Sequence, residues 1–153
     1  MEQNLGFLTN DIARLMRKRF DMLTRHLGIT GPQWRALLII ARNPGISQGG
    51  VADYLDVEPI TTCRMIDRLE QADFVERRRH PDDRRAWQLH LTPQAEPLVD
   101  SLKTHATRIT DTAQAGFSAE EMDLLTNLLV RMRDNLSQSP TDMAPLRQEA
   151  QHG

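Results

Sequence analysis

Thr61, Thr62, Arg64 and Arg68 follow Pro59 in a segment of helical length, and a loop carrying Asp82-Asp83-Arg84-Arg85 follows shortly after. These residue types suit recognition by hydrogen bonding and charge. A threonine can contact a base edge or a thymine methyl, and an arginine can bridge O6 and N7 of guanine. Arg84 and Arg85 on a loop tip can reach phosphates or a narrow minor groove, where guanidinium is favoured. Asp83 beside them can hold an arginine in one rotamer through a charge-assisted bond. The same residues also read as the solvent face of a helix and an ion-paired surface loop.

Catalysis finds little support. His26, His80, His90, His105 and His152 have no metal-ligand spacing among themselves or with Cys63. No nucleophile elbow, phosphate loop or dinucleotide fingerprint occurs. No catalytic residue, metal or cofactor is expected.

The elements that must position these residues follow from periodicity and caps. Leu5, Leu8, Ile12, Leu15, Met16, Leu23 and Leu27 mark a first amphipathic helix, ended by Gly28. Thr30 and Gln33 form a capping box for a second helix to about Arg42, with Trp34, Leu37, Leu38 and Ala41 inward. Asn43-Pro44-Gly45 stops it. Ser47 caps a third helix that packs through Val51, Ala52, Tyr54 and Leu55; a close helix crossing is the expected reason for Gly49 and Gly50. The fourth helix starts near Pro59 with Ile60, Cys63, Ile66 and Leu69 as its apolar face. Asp56-Val57-Glu58 joins the third and fourth into a helix-turn-helix.

Phe74 to Arg78 reads as a strand, Arg79 to Arg85 as a loop, and Trp87, Leu89 and Leu91 as the inward residues of a second strand. Thr92 caps a long fifth helix with a stripe of Leu98, Leu102, Ala106, Ile109 and Ala113, and Pro97 is expected to kink it. Ser118 and Glu121 form another capping box, flanked by a staple of Phe117 and Met122. The sixth helix carries Met122, Leu125, Leu128, Leu129, Met132 and Leu136. Residues 138–153 turn polar and are expected to form a flexible tail.

The chain has 153 residues, 39% of them hydrophobic and 26% charged, as in ordinary globular proteins. Its single cysteine excludes an internal disulfide and points to a reducing compartment. No apolar run suits a bilayer and no secretory signal is evident, so the cytoplasm is expected and no membrane. Net charge is -2, yet residues 92–153 carry five basic and nine acidic side chains, which leaves residues 1–91 at +2. A mildly basic front is compatible with local phosphate binding, and equally with a solvated charge pattern.

The run VADYLDVEPITTCRMIDRLEQADFVERRRHPDDRRAWQLHLTPQAEPLV resembles the winged helix-turn-helix of the MarR family of bacterial transcription regulators. Its wing, Asp82 to Arg85, followed by Leu91-Thr92-Pro93, is the most specific part. AEPLV and FSAEEMDLLTNLLVRMRDNL are similar to the SlyA branch. The resemblance implies a mostly α fold with a small β wing and N- and C-terminal dimerisation helices. It divides the chain into an N-terminal dimerisation helix at 1–29, the winged helix-turn-helix at 30–91, C-terminal dimerisation helices at 92–137 and the tail.

The resemblance further implies a homodimer on a double-stranded, pseudo-palindromic DNA operator; the chain is read as a repressor, with activation by displacing another DNA-bound protein equally open on sequence. It casts Arg64 as the recognition-helix arginine, Asp83 as the wing aspartate and Arg85 as the minor-groove arginine supported by Arg84. Thr61, Thr62 and Arg68 join them as base or backbone contacts. Family members respond to small aromatic acids; Arg14, Arg17, Trp34 and Leu38 occupy the matching places. Two readings stay open beside this one. Trp34 can be core with the arginines in ion pairs, and Cys63 can be a small packing residue or a redox-sensing thiol. A winged-helix module that binds proteins and not DNA is the rival from another class.

Overall fold

The computed structural model describes residues 4–137. It contains six helices, α1 (Leu5–Thr24), α2 (Gly31–Arg42), α3 (Gln48–Leu55), α4 (Pro59–Gln71), α5 (Glu96–Ala113) and α6 (Ala119–Ser137). Two strands, β1 (Val75–Arg79) and β2 (Trp87–Leu91), pair antiparallel from Val75↔Leu91 to Arg79↔Trp87. The fold is thus mostly helical with a small β-hairpin wing, as expected. The expected tail at 138–153 lies outside the described residues.

The described residues fall into two compact units, one up to Ala113 and one from Gln114. In the first, α2 is the central element and packs against α3, α4, α5 and β2, while α1 packs on α5. Being surrounded, α2 buries more than one stripe: Trp34, Ala36, Leu37 and Ile40 are buried, and Leu38 and Ala41 only partly. Phe20 of α1, Ile66 and Leu69 of α4, Leu89 of β2, and Val99, Leu102 and Ile109 of α5 complete the core. In the second unit α6 buries no residue at all.

Local chemistry accounts for the element ends. The Thr30–Gln33 capping box is formed in both directions, and so is that of Ser118 and Glu121. After α1 a short 3₁₀ turn, Arg25–Leu27, leads to Gly28 at φ 71°, the left-handed position that glycine takes without steric cost.

Several expectations need correction. Tyr54 of α3 is 66% exposed and does not pack. Gly50 faces no crossing helix; a Cβ there would stand 2.8 Å from Cγ1 of Ile46, while Gly49 has room. Ile46 itself forms a bridge to Leu89, with Leu89 N–H donating to the Ile46 carbonyl at 2.9 Å. A one-residue third strand so closes the inner edge of β2. Thr92 makes no side-chain cap; its hydroxyl donates to the carbonyl of Asp73. Pro93–Ala95 is a 3₁₀ turn, and Pro97 falls in the first turn of α5, where no backbone bond is lost and no kink is needed. Val99 and not Leu98 is the buried residue at the start of that helix.

Candidate nucleic-acid interface

Successive residues of an α-helix rotate by about 100°. Thr61, Arg64 and Arg68 therefore share one face of α4, and all three are exposed. Thr62 does not join them. It lies four and seven residues before Ile66 and Leu69, is fully buried with them, and its hydroxyl faces the Glu58 carbonyl at 3.5 Å. Ile60, expected inside, is 61% exposed and stands on the outer face with Arg64. The reason is geometric: the row Ile60, Cys63, Ile66, Leu69 steps by three and drifts about 60° per step across the helix. Cys63 is half-buried on the flank, its thiol 3.9 Å from Oδ2 of Asp67.

The wing tip, residues 80–86, is a self-bonded turn. His80 N–H donates to the Ala86 carbonyl at 3.0 Å, and Ala86 N–H to that of Asp83 at 3.1 Å. Asp83 Oδ1 accepts from the backbone N–H of Arg85 at 2.9 Å. Asp83 so fixes the turn and does not hold an arginine side chain, and the expected ion pairing of Asp82 and Asp83 is not formed among the described residues. Arg84 and Arg85 are exposed. One side chain from the strands reaches this tip. Arg79 donates to the Arg84 carbonyl at 2.7 Å, and its guanidinium carbon lies 4.6 Å from the centroid of the Trp87 ring.

Arg14, Arg77, Arg78 and Arg133 are salt-bridged. Arg64, Arg68, Arg84 and Arg85 have no carboxylate partner among the described residues, so four guanidiniums on the α4 face and the wing tip are available to an external anion.

Arg77 is a tie between elements that sequence reasoning missed. From β1 it donates to Asp67 at 2.7 Å and to Glu70, both on α4, and to Gln48 of α3 at 3.1 Å. Burial alone would lower its pKa; the hydrogen bond and charge of Asp67, with Glu70, outweigh it and raise it. One guanidinium thus ties β1, α4 and α3 together. The signal was Asp67 and Glu70 three residues apart on one helical face, an acidic pair that no cation of α4 answers.

The residues expected to hold an effector come together in part. Arg14, Arg17 and Trp34 line one cleft of about 770 Å³, with Arg25 and Arg35. Leu38 lies outside it and lines a neighbouring cleft of about 570 Å³ with Arg17, Trp34, Tyr54 and Asp56. Trp34 is also a core residue: it is 7% exposed, packs on Phe20 at 3.9 Å between centroids, and donates through Nε1 to Asp21 at 2.8 Å. Only its rim reaches the clefts. Arg14 is paired with Asp11 at 3.2 Å.

Known proteins share this fold. Residues 27–86 match the family model of the MarR family. The structure of the transcriptional regulator PA3341 is 30% identical, with a TM-score of 0.81 over 89% of this chain and all of that one. That of the transcriptional regulator SlyA is 25% identical, with a TM-score of 0.76 over 88% of this chain and 94% of that one. A MarR family transcriptional regulator from Listeria monocytogenes, solved in complex with 26mer DNA, shares the fold at 23% identity, TM-score 0.77, over 89% of this chain and 90% of that one. With a helix-turn-helix, a wing and flanking helices in the same order, this chain belongs to the MarR family of transcription regulators.

Proposed function

We propose that this regulator binds DNA in a sequence-specific manner, as a homodimer on a pseudo-palindromic operator in the cytoplasm, and acts as a repressor. One observation carries the reading: the unpaired guanidiniums of Arg64, Arg68, Arg84 and Arg85 lie on two surfaces that Arg77 ties together. On this reading α4 enters a major groove. There Arg64 and Thr61 meet base edges, Ile60 can meet a thymine methyl, and Arg68 the backbone. Arg85 enters the adjacent minor groove, with Asp83 shaping its turn and Arg84 beside it. The DNA complex of the Listeria regulator supports this reading through the shared fold.

Residues 30–91 serve as the DNA-binding domain, 1–29 and 92–137 as dimerisation helices. Binding should weaken steeply with salt, by about 0.9 in log–log slope for each phosphate neutralised. The test is anisotropy titration on duplexes selected from a random pool. Arg64→Ala with Arg85→Ala should abolish measurable specific binding. Unchanged binding in that double variant would take the contact away from α4 and the wing, and a wild type that selects no duplex at all would favour a protein-interaction module.

The clefts support an effector reading as well. A small aromatic carboxylate held by Arg14 and Arg17 against the rim of Trp34 shifts the spacing of the recognition helices, to the extent that it binds one state better. Salicylate-like acids should raise the melting temperature and lower DNA affinity, and Arg17→Ala should remove both effects. No shift with any aromatic acid in a panel counts against it.

A further inference from the structure

We propose that Arg79 and Trp87 form a brace that positions the wing tip, so that Arg79 acts on DNA through Arg85 and not by touching it; the proposal rests on the DNA-binding reading above. Arg79 and Trp87 are the last pair of the β1–β2 register before the loop. Pro81 to Arg85 are all exposed, so no apolar packing holds the tip to the body. The His80–Ala86 bond continues the strand register by one rung, and the bonds of Asp82 and Asp83 set the shape of the turn beyond it, so residues 81–85 have no backbone bond to the strands.

Arg79 supplies a side-chain tie from the strands to this outer part of the tip. Its guanidinium lies over Trp87 and donates to the carbonyl of Arg84, the residue before Arg85. The arrangement also gives a reason for Trp87, an aromatic 45% exposed at a strand end, whose ring face receives the cation. A planar fork can stack and donate at once, whereas an ammonium cannot do both in this geometry.

A direct phosphate contact by Arg79 is the competing explanation, and a double-mutant cycle separates the two. Duplex affinity and its salt dependence are measured on the full chain for Arg79→Ala, Arg79→Lys, Trp87→Leu, Arg85→Ala and the Arg79→Ala/Arg85→Ala pair. A brace predicts that Arg79→Ala and Trp87→Leu each weaken binding, by roughly five- to thirtyfold, and neither by more than Arg85→Ala. The double variant should bind no more weakly than Arg85→Ala alone. Trp87→Leu removes no charge, yet should flatten the salt slope by about the same 0.9 as Arg85→Ala, because the tip contact is lost with the brace. Arg79→Lys should behave like Arg79→Ala.

Multiplying losses in the double variant, full retention in Arg79→Lys, or a silent Trp87→Leu would each overturn the brace. If Arg85→Ala weakens binding while Arg79→Ala and Trp87→Leu do not, the brace fails and the DNA reading stands. If Arg64→Ala and Arg85→Ala both leave binding unchanged, the contact is not on α4 and the wing, and the brace fails with that reading.

Discussion

Thr61 and Thr62 are neighbours in sequence and differ in everything they can touch. Both look like small polar base contacts when α4 is read as a string. The helix turns by about 100° between them, which puts Thr61 in solvent and Thr62 in the core between Ile66 and Met65. Thr61→Ala should therefore weaken duplex binding about fivefold to tenfold, the loss of one modest base contact. Thr62→Val keeps the buried volume and removes a hydroxyl whose bond is already long. It should leave affinity within about twofold and stability within about 1 kcal/mol, read by anisotropy and urea unfolding. Equal losses in the two variants would mean that the helix is rotated from the orientation described. The arginines were legible for a simple reason: a long cationic side chain between apolar positions almost always points to solvent. Threonine and Cys63 are small enough to sit on either side, and an apolar residue in the first turn such as Ile60 has no neighbour in the sequence that fixes its side, so only the exact phase of the helix decides. The same phase leaves Cys63 half-buried on the flank of α4, with the carboxylate of Asp67 as its neighbour.

Elements whose ends are set by local chemistry were the legible ones. Both capping boxes and the Gly28 stop follow from residues within a few positions of each other; of the second strand's alternation Leu89 is inward as expected, whereas Trp87 at the strand end is 45% exposed. What sequence could not supply was pairing across distance. Ile46 bridges to Leu89, Thr92 reaches back to Asp73, and Arg77 reaches α3 and α4 at once. The Arg77 tie has a measurable weight. Its side chain is 20% exposed while Asp67 and Glu70 are nearly half exposed, which places it between a surface ion pair and a buried one. Arg77→Ala should cost about 1–2 kcal/mol in urea unfolding, with Arg77→Lys intermediate because one ammonium cannot serve three acceptors in the fork geometry. Duplex affinity should fall with it, since α4 and the wing lose their common anchor. A variant as stable and as tight-binding as the wild type would show the tie to be incidental. The turn between α3 and α4 gives a second check. Asp56 sits at φ 53°, so Asp56→Val should cost roughly 1–2 kcal/mol while Asp56→Gly is tolerated.

At the scale of the whole molecule the decisive feature is apolar surface without cover. The first unit leaves Leu5, Leu8, Ile12 and Leu15 of α1 exposed, although the later part of the same helix packs through Phe20 and Thr24. In the second unit, Leu125, Leu128, Leu129 and Leu136 form a stripe on α6, a helix of 19 residues with nothing buried. In proteins most of a helix's stability comes from packing an amphipathic face and not from its own propensity. A second copy of the chain is the partner that the homodimer reading supplies, and the palindromic operator follows from its two-fold symmetry. Dimerisation also matters energetically for DNA. Two half-site contacts joined in one molecule bind at an effective concentration that neither domain reaches alone. Leu125→Glu with Leu129→Glu should therefore convert the protein to a monomer in sedimentation experiments at tens of micromolar. The same variant should lose at least about a hundredfold in affinity for a two-half-site duplex, while keeping most of its weak affinity for a single half-site. A wild-type protein that sediments as a monomer, or a glutamate variant that still binds the full operator as tightly, would remove the dimer from this account and leave the wing and α4 to act as a single reading head.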